Sequence, residues 1–565
     1  MSEAGEPISG ATVALFAPGP TSPVAAVHSN AQGMFEIASA PGGYRLSITH
    51  GDWAAVLRQV EIASDKWLEL GDIKLAAGGN PFTGTIRWLG SAPPPVVAFW
   101  TVVFGKEGFA TLPEANGEIR VRLPEHSYLS ITHSETIRSA STWATTGIPF
   151  QLDAAEVAAM TVPPQESALA EVRRAAIPIS LDPNSEPSAE LVRMLQKHPG
   201  RIFGLGESNH GGHEFLTVRD LLTSALARRG PVVVALEANW SFVLAVEDYV
   251  RGGKGDPDQL ALGLRFWMWK TKGLSALLRR FRELNQARRA DIHFTGIDMQ
   301  FPTTNLDALQ ACFDSPLLRS KKSALLEALA WIRNENASPN RQQASAARVV
   351  LQDAMPEAGR YQLPMKRCSK PFVRAAMLTL IQYIDMVEGD SWFEENYRRD
   401  AAMAQNAIEL AAGTGQTIVI WAHNLHIARK GIDGAVPMGG LLSHRKDISY
   451  VAVGTTIRAG QFLARIQSDN RVLGHATLPA APESHLAHWL GTLGLPAFVI
   501  DLAGLEPRGE AKAWFSRAHL GWEVGAIFHG VENSDSLRVP ADNFDMLVYI
   551  DQLTPPERLA EPDQK

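Results

Sequence analysis

The sequence predicts a multidomain protein: N-terminal all-β sandwich modules followed by a large α/β domain with a mainly parallel sheet and a helical insertion. Three observations carry this. At 565 residues the chain is too long for one core, and about three or four domains is the usual expectation. Up to residue 165, short alternating runs are separated by turn residues, the mark of antiparallel strands. Beyond that point, apolar runs alternate with long amphipathic stretches, as in an α/β domain.

The first module, residues 1–78, contains "ATVALFA", "VAAVHSN", "GMFEIAS", "YRLSITHG", "VLRQVEIA" and "LELGDIKL". Turns such as "PGPTSP", "NAQG" and "APGG" separate them, because Gly, Pro and Asn supply the backbone angles a reversal needs. After "AAGGN" a second β-rich module, residues 79–165, carries "FTGTIRWLG", "VVAFWTVVFG", "GEIRVRLP" and "YLSITHS". The phrase "SITH" occurs in both modules (Ser47 to His50 and Ser130 to His133) but is too short to establish a repeat. "VPPQES" marks the boundary to the third region, residues 166–565. There "RIFGLG", "VVVALEAN", "IHFTGID", "TIVIWAHN", "ISYVAVGTT", "FVIDLAG", "VGAIFHG" and "FDMLVYID" read as strands, with helices over much of 305–412.

Composition excludes several classes. Hydrophobic residues make up 45% and charged residues 20%, with a net charge of −7, so no nucleic-acid footprint or membrane-attracting basic face is expected. No apolar run approaches the roughly 20 residues needed to span a bilayer. Cys312 and Cys368 are the two cysteines, too few for a disulfide framework or a Cys-based zinc motif, and they fit a reducing compartment. "MSEAGEPISG" has neither the basic nor the apolar part of a signal peptide, so the chain as written reads as cytoplasmic.

In a parallel sheet, ligands bind beyond the carboxyl ends of the strands. Here those ends carry Glu207 and His210, Glu237, Asp298, and His423 and His426, while the strand bodies are almost wholly apolar. Carboxylates and imidazoles together can exchange protons near neutral pH, as hydrolysis requires. In "GLGESNHGGHEF", Gly204 and Gly206 are expected to turn the chain sharply, and Gly211 and Gly212 to leave room for substrate beside His210. Each piece has a plainer reading. One acid at a strand end is more often a helix cap, and Asp298 reads equally as a cap for the next segment. His293 reads as an exposed or hydrogen-bonded strand residue, and His213 and His444 as surface or supporting residues. The joint occurrence favours a site, since unpaired buried charges are costly. No "GxSxG" or "GK[ST]" competes with it. The spacings Glu207-x-x-His210 and His423-x-x-His426 also suit a metal shell of those four residues, and spacing alone leaves that open.

Two resemblances follow. "GEPISGATVALF", "SNAQGMFEI" and "PGGYRLSITHGDW" resemble the carboxypeptidase regulatory-like domain, a small transthyretin-like sandwich. Such modules usually carry a strand before this turn, and a preceding segment would allow an export signal and a periplasmic or secreted protein. The third region resembles the erythromycin esterase family through "GLGESNHGGHEF", "ALEANWSFVLAVEDYVRGGKGDP", "LRFWMWKT", "FTGIDMQ", "RRDAAMAQN" and "IVIWAHNLHIAR", in the family's order. The resemblance implies ester hydrolysis of a macrolide lactone by activated water, without metal or other cofactor. It makes His210 the general base, with Glu207 and Glu237 orienting it or holding the water. It gives His423 and His426 the oxyanion or the leaving alkoxide, and Arg219 and Arg399 the neutralisation of buried acids. Trp267, Asn424, Glu214 and Asp298 complete the set of supporting or substrate-binding candidates. After "WMW", family members often carry an acid where this chain has "KTKGL", Lys270 to Leu274, which changes the pocket's charge.

The leading reading is therefore a hydrolase of an ester or lactone, in a macrocycle or other natural product. The alternatives are a metal-assisted peptidase or amide-processing enzyme of the same superfamily, and an inactive cleft serving as a binding protein. The partner is a small molecule or peptide, with no nucleic acid and no membrane span. The sequence does not fix the oligomeric state.

Overall fold

The computed structural model describes residues 1–17, 23–64, 66–89, 98–102, 108–114, 116–123, 127–131, 137–139, 142–143, 149–183, 185–333, 341–357, 363–389, 392–431, 436–467 and 471–560. Most of the turn "PGPTSP" and the end of the second "SITH" lie outside them. Compact packing divides the chain between Val162 and Pro163 into a strand-rich unit and an α/β unit.

Among the described residues, the first unit holds three four-stranded sheets. One is antiparallel throughout, in the order Pro23–His28, Thr12–Phe16, Gly42–Thr49, Val56–Ile62. Its strand Thr12–Phe16 is buried on both faces: Val13 and Leu15 pack in one cluster with Leu46 and Ile48, and Ala14 and Phe16 in another with Ala110. The second sheet runs Ile137–Ser139, Phe150–Glu156, Asn80–Trp88, Glu118–Leu123, and contains one parallel pair. The third runs Thr142–Trp143, Ser127–Ile131, Ala98–Val102, Gly108–Thr111.

The second unit is built on a mixed ten-stranded sheet. Its main path is Ile177–Pro178, Ala497–Asp501, Met546–Leu553, Tyr450–Ile466, Ile202–Leu205, Thr417–Trp421, Val232–Asn239, Ile292–Asp298. The last six run parallel, and Ala497–Asp501 joins them antiparallel. Val232–Asn239 and Ile292–Asp298 are buried at every position; the first accordingly opens on the continuous apolar run VVVAL, while the second carries His293 and Thr295 between its apolar residues. Between Thr417–Trp421 and Tyr450–Ile466 the chain crosses from one side of Ile202–Leu205 to the other. That reversal opens a crevice at the carboxyl ends of the neighbouring strands.

The margin strand Ile292–Asp298 is finished by side chains rather than by another strand. Asn285 accepts from the Ile292 amide and donates to its carbonyl, both at 2.8 Å. Glu247 accepts from the Phe294 amide at 2.7 Å, and Asn406 donates to the Ile297 carbonyl at 2.8 Å. Glu247 also takes the His293 ring at Nδ1, 2.7 Å away, so this histidine is a buried partner within the sheet.

The helical insertion has its own core, with Leu306, Phe313, Leu325, Ile332, Leu351 and Phe372. Cys312 and Cys368 close a disulfide there, across 56 residues. Among the described residues no helix is long and apolar enough to cross a membrane.

Candidate active site

Glu207 and His210 occupy the loop between the Ile202–Leu205 strand and the Glu214–Ala227 helix. The loop's glycines have a purpose other than the one expected. A Cβ at Gly206 would lie 2.2 Å from Asn424 Oδ1, and one at Gly211 would lie 1.8 Å from the Leu463 carbonyl oxygen. They admit close packing against neighbouring chain, and neither has the positive φ of a sharp turn or opens space for substrate. Asn424 is a clamp: its amide donates to the Thr455 carbonyl at 2.8 Å and accepts from the Thr455 N–H at 3.1 Å.

The loop presents a hydrogen-bonded pair. His210 Nδ1 lies 2.7 Å from Glu207 Oε1, and Arg219 Nη1 lies 2.8 Å from Glu207 Oε2. Arg219 is sandwiched near the rings of Trp269 and Trp421, at 5.5 and 5.6 Å. Burial opposes ionisation of Glu207, but Arg219 and His210 outweigh it and hold the carboxyl below its ordinary range. An ionised Glu207 takes the proton on Nδ1 as a hydrogen-bond donor, which leaves the Nε2 lone pair outward. Nε2 has no hydrogen-bond partner among the described residues. The ring edge meets Trp267 at 6.4 Å, and His423 packs 5.0 Å away.

Glu237 sits where the Val232–Asn239 strand slips one residue against Ile292–Asp298. A bulge of this kind re-aims a side chain. Glu237 Oε1 receives Arg399 Nη2 at 2.7 Å, and Oε2 accepts the His423 backbone N–H at 3.1 Å. Arg399 also binds Asp298 through Nη2 at 2.7 Å, and Asp298 in turn accepts the Met299 amide at 2.7 Å. Asp298 is thus both cap and ion-pair partner. Burial opposes charge on Glu237, yet His426 and Arg399 hold its carboxyl well below the ordinary range.

The two histidines of "HNLH" differ. His423 caps the short helix Asn424–Ile427 by accepting the Leu425 N–H at Nδ1, 3.2 Å, while Nε2 lies 3.1 Å from the Val524 carbonyl. Both of its ring nitrogens are engaged. Burial lowers it to about 4 and keeps it neutral. His426 lies instead between two carboxylates, with Nδ1 2.7 Å from Asp400 and Nε2 3.4 Å from Glu237. Burial disfavours its charge, but Asp400 and Glu237 prevail and raise it to about 10. Arg399 Nη1 lies 3.2 Å from the same Nε2. Since arginine only donates, that contact is a hydrogen bond only to a neutral ring. With two carboxylates in reach the imidazolium is favoured, its Nε2–H turned to Glu237 and Arg399 alongside.

Asp400 is the residue that sequence reasoning missed. Its signal lay in "RRDAAMAQN", where a second buried charge follows Arg399 on one helix. Other candidates fall outside the cluster. Glu214 accepts from the Thr554 N–H and hydroxyl, at 3.0 and 2.6 Å, and so anchors the C-terminal strand. His213 contributes a backbone N–H to the Thr554 carbonyl, and His444 bonds the Gly440 carbonyl. Among the described residues no group of three or more His, Cys, Asp or Glu side chains is arranged to hold a metal ion.

An α/β sheet whose strand ends assemble two histidine–carboxylate pairs around a cleft has the equipment of a hydrolase. The model of the family described as erythromycin esterase matches residues 226–553, more than half the chain, and the protein belongs to that family of esterase-type hydrolases. The matched segment contains Glu237, Asp298, Arg399, Asp400, His423 and His426, while Glu207, His210 and Arg219 precede it. Among solved structures, a succinoglycan biosynthesis protein aligns at 18% identity and a TM-score of 0.60, covering 70% of this chain and 98% of that one. A Bacillus cereus protein aligns at 21% and 0.58, with the same coverage of 70% and 98%. An erythromycin esterase variant in an open conformation aligns at 17% and 0.45, covering 64% and 93%. The first two likenesses are ones of fold.

Proposed function

We propose that the cleft hydrolyses an ester or lactone, in a macrocyclic or other natural product, with water activated by His210. The reading rests on one observation above all: Glu207 lies 2.7 Å from His210 Nδ1, an arrangement that favours the proton there, and Nε2 has no hydrogen-bond partner among the described residues. In that geometry Nε2 takes a proton from water as hydroxide adds to the acyl carbon. The cationic pair Arg399 and His426 stabilises the oxyanion, and the His426 imidazolium is the source of the proton for the departing alkoxide. His423 positions the others: its backbone N–H holds Glu237 and its ring walls His210.

The mechanism proposed uses no metal, and two members of the alternative ligand set, Glu207 and His423, already have partners. Glu207 serves His210 and Arg219, and both nitrogens of His423 are bonded. A panel of lactones, aryl esters and peptides, run beside elemental analysis, tests both statements. Lactone or ester turnover that survives chelator dialysis is expected. One equivalent of transition metal, lost and regained together with activity, would replace this mechanism with the metal-assisted one.

We further read the first unit as two sandwich-like modules, 1–78 and 79–165, ahead of a catalytic domain over 166–565. Two distinct buried clusters support this, one around Val13, Leu46 and Ile48 and another around Phe82, Ile119 and Val121.

A further inference from the structure

At the opposite ends of the parallel strands, three helices finish side by side: Glu214–Ala227, Trp240–Val250 and Lys272–Gln286. Each is followed by arginine, and Arg228, Arg229, Arg251, Arg288 and Arg289 line one recess of about 650 Å³, with Asp291 the single acid on its wall. A cation at a helix C-terminus is favoured by the helix dipole, so the plain reading is capping. Capping accounts for part of the cluster. Arg229 bonds the carbonyls of Leu195 and His198, and Arg282, outside the recess, bonds those of Tyr249, Gly252 and Gly253.

Arg228, Arg288 and Arg289 are under-compensated. Glu186 is shared among Arg228, Arg280 and Arg289, at 3.1, 3.4 and 3.2 Å, and Arg251 pairs with Asp291. Arg288 is exposed and has no acidic partner among the described residues. It also sits two residues past its helix at φ +54°, a left-handed position where glycine is the usual occupant. An arginine kept in a conformation that costs energy, beside four others in a protein of net charge −7, points to a ligand that repays it.

We propose that this recess binds a small multivalent oxyanion, a molecule carrying two or more phosphate or carboxylate groups. Guanidinium forks match both groups in geometry and charge. The test is calorimetric titration of the full chain with pyrophosphate, with citrate, and with phosphatidylglycerol vesicles, at low and moderate salt. One salt-sensitive site per chain is expected, and the strongest probe distinguishes phosphate, carboxylate and lipid headgroup. Arg288→Gly should weaken that binding about tenfold, the loss of one charge-assisted contact, with a Tm equal to or above wild type because glycine suits φ +54°. Arg289→Ala, which leaves the left-handed position intact, is expected to weaken binding similarly if the glycine variant fails to fold. Arg279→Ala, whose guanidinium pairs with Asp258 outside the recess, should bind as wild type. No binding of any probe, or binding unchanged in both recess variants, overturns the proposal.

Discussion

Glu207-x-x-His210 and His423-x-x-His426 share a spacing and end adjacent parallel strands, yet they do different things. In the first, the two side chains bond each other, and the pair has one purpose. In the second, they diverge: one ring is buried among backbone groups and neutral, while the other is held between carboxylates and charged. Four residues of a short helix thus carry imidazoles shifted to about 4 and about 10. Spacing brings groups to a site, and neighbours decide what they become.

The comparison breaks most sharply at His210. His210→Ala should lower kcat by about 10²–10⁴ with the fold intact, the usual contribution of a general base. A variant with near-wild-type rate and unchanged Tm would move the base elsewhere. Next comes Asp400→Asn, which removes a carboxylate that keeps His426 charged. Its rate is expected to fall about tenfold near pH 8 and less near pH 6, where the ring is protonated without help. A loss equal at both pH values would mean that Asp400 acts on structure alone.

The opposite shifts also predict a stability maximum near pH 6.5. Below it, unfolded His423 binds a proton that the folded ring refuses until about pH 4, so stability falls on acidification. Above it, folded His426 keeps a proton that the unfolded ring has lost, so its contribution drains away as pH rises toward 10. Each pKa unit corresponds to about 1.4 kcal/mol, before other groups are added. Thermal melts of the wild type and of His426→Gln check this: the variant should lose the alkaline slope and keep the acid one. The smallest effect is expected for His213→Ala, within about twofold of wild-type rate, since its backbone and not its ring holds Thr554.

The strand ends were legible because a parallel sheet writes its interior as apolar runs, so that a carboxylate or imidazole closing one stands out. Glu237 and Asp298 were found that way. Asp400 was not, because it lies in the middle of a helix, where a charge normally faces water. The glycines were misread for a related reason. Sequence reveals that a Cβ is missing but not whether substrate or neighbouring backbone fills the space, and at Gly211 the occupant is the Leu463 carbonyl. The Cys312–Cys368 bond was beyond reach, since a sequence separation of 56 fixes no distance between two side chains.

The finished margin of the large sheet has a bearing on solubility. Open strand edges are templates on which a second copy can add strands and begin a fibre. Here Asn285, Glu247 and Asn406 already hold the peptide groups of Ile292, Phe294 and Ile297. At the far margin the strand is only two residues long and ends in Pro178, which has no N–H to donate. At the Ile292–Asp298 margin a polymer could grow only by displacing these buried or half-buried side chains. Loss of Glu247 would therefore show first as turbidity, in a protein whose candidate site residues are all still present.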